Sequence, residues 1–283
     1  MPNQSHPNIL VTGHSGNVGS GLVQELDRLG SAYATTTRDA PQSDNEVYFD
    51  FLEPPATLRQ LPDFEAIFLM RPPPISKVKR YFKPLLEGLA ARQKQPHIVF
   101  LSVQGAEKVS FIPHAKIEKE IIAAGLSYTF VRPSYFMQNL TGPVLPQIRE
   151  KQRIKLPSGK ANFLWIDALD IGASAAHILI NPSEHRNQAY TLTGTELLNY
   201  PKVAELLSEV LGRRIIYKSQ FPLWFLFAQS RRTNWSHAVV MTALHTLPRL
   251  QSDPEITDRV ESLLGRKPTQ LRTFIERERE QFT

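Results

Sequence analysis

Three glycines at fixed spacing, Gly13, Gly16 and Gly19, follow the apolar run Asn8-Ile-Leu-Val-Thr, and the chemistry they permit is phosphate binding. Gly13 allows a tight exit from a strand, Gly16 lets backbone approach a pyrophosphate, and Gly19 lets the next helix lie close to the sheet. The amides around Ser15, Asn17 and Val18, with the positive end of the helix dipole, suit a pair of phosphates. The ordinary alternative is a strand-to-helix turn with no ligand. Arg38 closes the next strand. At that place an arginine accepts a 2′-phosphate, whereas an acidic residue holds a free ribose 2′-hydroxyl; here Asp39 comes one residue later. His114 and Glu118 stand four apart and share a helix face. A carboxylate beside the imidazole raises its pKa and orients the ring, which makes either a proton donor or a structural hydrogen bond.

The elements that must position these groups alternate. Asn8 to Thr12 reads as a buried strand, and Val18, Leu22, Val23 and Leu26 recur at helical period. Ser31 to Thr37 is a second strand ending at Arg38, and Val47 to Phe51 a third. Pro54-Pro55 breaks the chain before a short helix from Thr57 to Leu61. Ala66 to Met70 is the fourth strand and runs into Arg71-Pro72-Pro73-Pro74, a stiff loop that cannot continue a central strand. Val78 to Arg92 has helical spacing, His97 to Leu101 is the fifth strand, Pro113 opens another helix, and Leu126 to Arg132 is the sixth strand. Beyond it, short strands at Asn162 to Ile166 and Ala189 to Leu192 flank a helix from Ala168 to Ile180. An amphipathic helix from Tyr200 to Leu211 stops at Gly212, Ile215 to Tyr217 is a last strand, and Leu271 to Arg279 a last helix. Phe221-Pro-Leu-Trp-Phe-Leu-Phe is unusually apolar, with three readings open: an active-site roof, a dimer contact or core. The alternation predicts a doubly wound α/β fold with a mainly parallel sheet. Residues 1–140 form the nucleotide-binding part, and 141–283 a smaller substrate-side part on a shared sheet.

Composition narrows the classes. The 283 residues, 41% hydrophobic and 21% charged, suit a globular protein with a substantial core. The absence of cysteine excludes disulfides, thiolate metal sites, iron–sulfur clusters and cysteine nucleophiles. The net charge of +6 is dispersed without a basic block, so no nucleic acid is expected; a modest positive field also draws a phosphorylated cofactor. No signal segment or bilayer-length apolar run is read, so the expectation is a cytoplasmic protein without membrane insertion. The histidines are scattered; His237 and His245 alone share a helix, two turns apart, and no metal is expected.

The Gly-x-x-Gly-x-x-Gly spacing resembles the extended and atypical short-chain dehydrogenase/reductases. Ser102-Val-Gln-Gly-Ala, similar to a Leu-Ser-x-x-Gly-Ala segment, and Arg132-Pro-Ser-Tyr-Phe-Met-Gln-Asn narrow the resemblance to the NmrA-like family. It covers nearly the whole chain and is strongest over Ile9 to Gly19, Ile98 to Gly105 and His114 to Asn139. The resemblance implies a Rossmann fold with NADP(H) favoured over NAD(H) through Arg38, Asp50 and Phe51 against the adenine, and Met70 and Arg71 near the ribose and pyrophosphate. It gives Ser102 the role of hydrogen-bonding the reacting oxygen, against the plainer reading of a serine capping its own turn. It puts His114 in the place of the superfamily's catalytic tyrosine and Glu118 in that of its lysine, a departure that cannot work as the Tyr-x-x-x-Lys pair does. Pro133, Ser134, Tyr135 and Phe136 are implied as the nicotinamide wall; Phe136 and Met137 there, and Trp224 in the apolar stretch read as a roof, are candidate substrate contacts, with core packing the alternative for Phe136 and Met137. Asp167 and Asp170 are assigned a structural ion or capping role.

Two functions remain open. One is an NADPH-dependent oxidoreductase giving hydride to a flat, electron-poor acceptor such as a quinone or conjugated dye, for which a weak acid such as His114 suffices. The other is a non-catalytic NADP(H) sensor acting through a regulatory protein partner. A small apolar or aromatic substrate and a homodimer are the partners considered.

Overall fold

The computed structural model describes residues 8–283, so the reading of the first residues as free of a signal segment lies outside the described residues. In chain order the strands begin with β1 (Ile9–Val11), β2 (Tyr33–Thr37), β3 (Glu46–Tyr48), β4 (Ala66–Met70), β5 (His97–Leu101) and β6 (Tyr128–Pro133). Then come β7 (Tyr135–Phe136), β8 (Arg153–Leu156), β9 (Asn162–Ile166), β10 (Gln188–Leu192), β11 (Glu196–Asn199) and β12 (Ile216–Ser219).

The chain forms two compact units. Where the sequence suggests one boundary at residue 140 and a shared sheet, the first unit takes the chain up to Pro133, then Ala168–Leu192 and Asp258–Lys267. The second takes Ser134–Asp167, Thr193–Thr257 and Pro268–Thr283, and each unit has its own sheets.

The first unit is built on a seven-stranded sheet of order β10-β6-β5-β4-β1-β2-β3, parallel at every pairing. The order reverses between β1 and β4, which opens a crevice at their carboxyl ends. Runs such as Ala66-Ile-Phe-Leu and His97-Ile-Val-Phe-Leu are buried throughout because both faces of a parallel sheet are covered. Alternate residues Leu10, Ile67, Leu69, Ile98 and Phe100 pack with Phe82, Leu85 and Ile117 from the helices Val78–Ala90 and Pro113–Ala123. Helices Asn17–Arg28 and Ala168–Ile180 meet so closely that a Cβ on Gly172 would lie 2.4 Å from Leu22 N and 2.5 Å from Val18 O. Arg266 holds the second of these helices through Asp170, 2.8 Å away.

The second unit has a three-stranded sheet, β11-β9-β7, antiparallel between β11 and β9 and parallel between β7 and β9, and a two-stranded parallel pair β12-β8. Its core gathers Met137, Ile148, Phe163, Trp165, Tyr200 and Phe274.

Local differences from the sequence expectations have plain causes. The helix expected from Thr57 spans Pro54–Gln60, because proline at the first helical positions has no amide to lose and a preset φ. Strand β3 ends at Tyr48, and Thr57 Oγ1 instead donates to Asp50 O and accepts from Asp50 N, 2.9 Å each. The last helix is interrupted at Glu278, giving Leu271–Arg277 and Arg279–Phe282.

Gly172→Ala sets a methyl against backbone on two sides, which cannot rotate away. It should destabilise the fold by about 1–3 kcal/mol, read as a lower urea midpoint at unchanged m-value; an unchanged midpoint would refute the close helix crossing.

Candidate functional site

Parallel pairing brings the carboxyl ends of β1 to β6 to one edge of the first unit's sheet, and with them Gly13, Arg38, Asp50, Met70, Ser102 and Pro133. Thr12 sews the crevice at its base: its Oγ1 donates to Phe68 O (2.9 Å) and accepts from Met70 N (3.0 Å). Gly13 then turns with φ +67°, and Gly16 N donates back to Gly13 O at 3.0 Å. A Cβ on Gly19 would stand 2.1 Å from Gly13 O, so the first turn of helix Asn17–Arg28 can pass only as glycine.

Gly16 is different. Its φ is −82°, and a Cβ there would meet nothing closer than Gly13 O at 3.4 Å and Met70 Cε at 3.7 Å. The fold itself has room for a side chain at this position; what glycine leaves open is the approach from outside. Gly16 is also the N-cap of a helix with no side-chain cap and no acidic residue in its first turn, so the positive end of the dipole is not neutralised locally. An open cradle beside unneutralised amide ends fits a pyrophosphate.

Arg38 is exposed just past β2, with Asp39 N donating to Thr37 Oγ1 at 3.2 Å. Asp50 accepts from Leu52 N at 2.8 Å, while Phe51 is buried against Phe49 and Phe82, ring centroids 4.9 and 5.1 Å away. Met70 lays its methyl on the glycine turn, 2.0 Å from where a Gly13 Cβ would be. The Arg71 guanidinium turns into its own loop: Nη1 donates to Pro72 O (3.1 Å), Pro73 O (2.8 Å) and Ile75 O (3.0 Å). It therefore fixes the proline series as well as placing a positive charge there, and burial lowers its pKa.

The pairing of His114 with Glu118 is corrected by the structure. Glu118 is buried, and its Oε1 accepts from Ser102 Oγ at 2.5 Å and Arg132 Nε at 3.0 Å, while Oε2 accepts from Arg132 Nη2 at 2.7 Å. Arg132 Nη1 continues to Glu107 at 3.0 Å. The guanidinium fork engages both carboxylate oxygens, a stronger arrangement than an imidazole one turn away offers. Without a carboxylate partner, His114 is governed by burial and then by the Arg71 charge, which lower its pKa to about 4 instead of raising it. The ring is therefore neutral near pH 7, and the Ser102 proton is engaged by Glu118. Arg132 and Glu107 were not singled out from the sequence. The available signal was an arginine in an otherwise apolar buried strand, which requires a buried acid.

In the second unit Tyr135, expected in the nicotinamide wall, is half-buried and packs against the aromatic core. Its ring lies 4.6 Å from Phe163 and 4.9 Å from Trp165, and its hydroxyl bonds Tyr200 Oη at 2.8 Å; burial raises its pKa well above the usual phenol range. Met137 is fully buried, Phe136 is half-buried, and Trp224 is 69% exposed. The Ser134 hydroxyl is buried and makes no hydrogen bond among the described residues. Asp167 receives Gln138 Nε2 (2.7 Å) and pairs with Arg277 (2.6 Å), and Asp170 pairs with Arg266, so both aspartates sit in structural ion pairs. No metal-holding cluster occurs among the described residues.

His97, His114 and His245 all have pKa values lowered to about 4, chiefly by burial. Unfolded, each takes a proton near pH 6.5; folded, each resists it to about 4. The unfolded chain thus binds more protons in this window, so stability is full above pH 6.5 and falls as the pH drops toward 4, by up to about 1.4 kcal/mol per unit for each histidine. Urea denaturation across this range should show the slope, and His245→Phe should lessen it; a flat profile would refute the buried neutral rings.

A family model described as the NmrA-like family matches residues 91–274. The NAD(P)H azoreductase of Xenophilus azovorans is 30% identical over 220 residues, covering 74% of this chain and 76% of the relative. The structure of the Citrobacter sp. triphenylmethane reductase complexed with NADP(H) superposes with a TM-score of 0.82 at 16% identity, over 95% of this chain and 99% of that one. An NADPH-dependent quinone oxidoreductase of Escherichia coli, complexed with NADPH, gives 0.81 at 18% identity, over 95% and 99%. At those identities the two structures establish the fold, and the family match over most of the sequence establishes descent: the chain belongs to the NmrA-like family.

Proposed function

We propose that this chain is an NAD(P)H-dependent reductase that passes hydride to a flat, electron-poor acceptor such as a quinone or a conjugated dye, with NADPH favoured over NADH. The observation that carries it is the glycine turn, where Gly16 is glycine for no reason internal to the fold and opens onto an uncapped helix end. Bound there, a reduced nicotinamide cofactor would supply the hydride. The chain's part is to bind and orient: the amides at the start of helix Asn17–Arg28 meet the pyrophosphate, and Arg38 pairs with the 2′-phosphate.

The acceptor class follows from what the chain withholds. Ser102 donates its hydroxyl hydrogen bond to Glu118, and His114 is neutral at physiological pH, so neither side chain expected to deliver a proton is a charged acid. A simple ketone needs a proton delivered as hydride arrives, whereas a quinone or an extended cationic dye accommodates the added electron pair within its own π-system and takes any proton from water. The names of an azoreductase relative and of a triphenylmethane reductase neighbour support the same class. The same closed network favours a second reading, an NADP(H) sensor without turnover. Stopped-flow oxidation of NADPH with a panel of quinones, dyes and enones separates the two, because turnover with none of them leaves only the sensor.

Arg38→Ala should weaken NADPH by about ten- to a hundredfold while leaving NADH unchanged, and Gly16→Val should weaken both with the melting temperature kept. Calorimetric titration reads both; equal affinities of the parent for the two cofactors would remove the NADPH preference, and parent affinity in Gly16→Val would place the nucleotide elsewhere.

The parent's rate profile should be flat from about pH 6 to 8, since the His114 ring holds no titrating proton there, and His114→Ala should lower turnover by about tenfold at most. A loss beyond about a thousandfold would make His114 a required general acid and the acceptor a harder one.

A further inference from the structure

The helices Pro222–Ser230 and Trp235–Thr246 form a hairpin in the second unit whose buried side is set by Phe225, Ala238 and His245. Its other side is apolar and uncovered. On the first helix Leu223, Trp224 and Phe227 share one arc and are 56%, 69% and 52% exposed; on the second, Trp235 and Val240 are 55% and 62% exposed. The rings of Phe227 and Trp235 stand 6.5 Å apart, which makes the two faces continuous. A patch of this kind on a globular unit marks an interaction surface.

Its charges say what kind. From Val210 to Ser252 the chain contains no aspartate or glutamate, while Lys218, Arg231, Arg232 and Arg249 are all exposed. A cleft of about 550 Å³ lies beside the first helix, lined by Lys155, Gln220, Trp224, Phe227, Ala228 and Arg231. Two cations therefore flank an aromatic floor, the combination that suits a phosphate headgroup with its acyl stem alongside. A second copy of this chain would present the same cations with no carboxylate from the patch to meet them, so self-association across this face works against like charges. An anionic lipid surface supplies the missing negative charge, and exposed tryptophans favour the boundary between headgroup and hydrocarbon. With 9 and 12 residues, the helices cannot span a bilayer, and no helix among the described residues is long and apolar enough to do so. They can lie in its surface.

We propose that this hairpin docks the protein on an anionic lipid bilayer, with Trp224, Phe227 and Trp235 entering the interface and Arg231 and Arg232 meeting lipid phosphates. The full chain should float with vesicles of phosphatidylcholine mixed with phosphatidylserine and fail to float with phosphatidylcholine alone, and added salt should release it. Tryptophan emission should shift to the blue on the mixed vesicles; Trp165 is fully buried, so Trp224 and Trp235 report the change. An arginine at such a surface is worth about fivefold in partition, so Arg231→Glu/Arg232→Glu should lower partition by at least about 25-fold. Phe227→Ser/Trp235→Ser should lower it by at least about tenfold. Circular dichroism and melting of both variants check that these exposed substitutions leave the fold intact. The proposal is overturned if the parent does not bind the mixed vesicles, or if both folded variants bind them as the parent does. It is also overturned if light scattering shows a parent dimer that Phe227→Ser/Trp235→Ser converts to monomer while no vesicle binds, which would make the face a self-interface.

Discussion

The close passage of helix Asn17–Arg28 against helix Ala168–Ile180 is the constraint from which the rest of the first unit follows. At Gly172 the neighbouring atoms are backbone, Leu22 N and Val18 O, so the separation is fixed by peptide groups and not by side chains that could adjust. One turn earlier the same helix passes Gly13 O at Gly19. A helix clamped at both places has its N-terminus held at the carboxyl edge of β1, beside the point where the strand order reverses. Preorganisation of that kind matters for an anion site, because the amide dipoles need no reorganisation when charge arrives.

A second constraint follows from placing an arginine inside β6. Arg132 lies near the end of that strand with most of its side chain covered, and a buried guanidinium demands carboxylates. Glu118 answers on one side and Glu107 on the other, and Ser102 completes the coordination of Glu118. The network ties the end of β5, the helix Pro113–Ala123 and β6 into one rigid corner. It also engages Ser102 and Glu118, two groups from which proton delivery was expected, and this engagement is what favours, in the proposed reductase, an acceptor that accommodates the added electron pair itself. Removing Glu118 alone would leave the arginine with only the more exposed Glu107 and free the Ser102 hydroxyl, so kinetic effects of that substitution would be inseparable from loss of the corner.

Much of this was legible in the sequence where the cause is local. The glycine turn declares itself because backbone geometry at Gly13 and the contact at Gly19 admit no other residue. The strands of the large sheet read as unbroken apolar runs because they are covered on both faces. What was not legible depends on partners far along the chain. Spacing of four put Glu118 beside His114, and the rule is sound for an exposed helix, but it is blind to a guanidinium arriving from the next strand. Tyr135 follows a motif whose neighbours suggested a cofactor wall, yet its hydroxyl partner is Tyr200, 65 positions later, and its ring packs against a core assembled from β9 and the helix Tyr200–Leu211.

The division of the chain has a consequence for how the nucleotide-side unit holds itself together. A fragment ending near residue 140 contains the glycine turn, Arg38 and the Ser102–Glu118–Arg132 corner, and by inspection of motifs alone it would count as a complete binding domain. It lacks β10, which pairs with β6 through five residues from Gln188 to Leu192, and it lacks the helix that bears on Leu22 and Val18 through Gly172. It also lacks Arg266, which neutralises the buried Asp170 of that helix. Residue 22 therefore finds its packing partner 150 positions later, a separation at which loop closure costs entropy before any contact is gained. The helix end proposed to meet the phosphates is fixed only when the later segments have returned, so the proposed anion site is a property of the discontinuous unit and not of the N-terminal sequence that spells it.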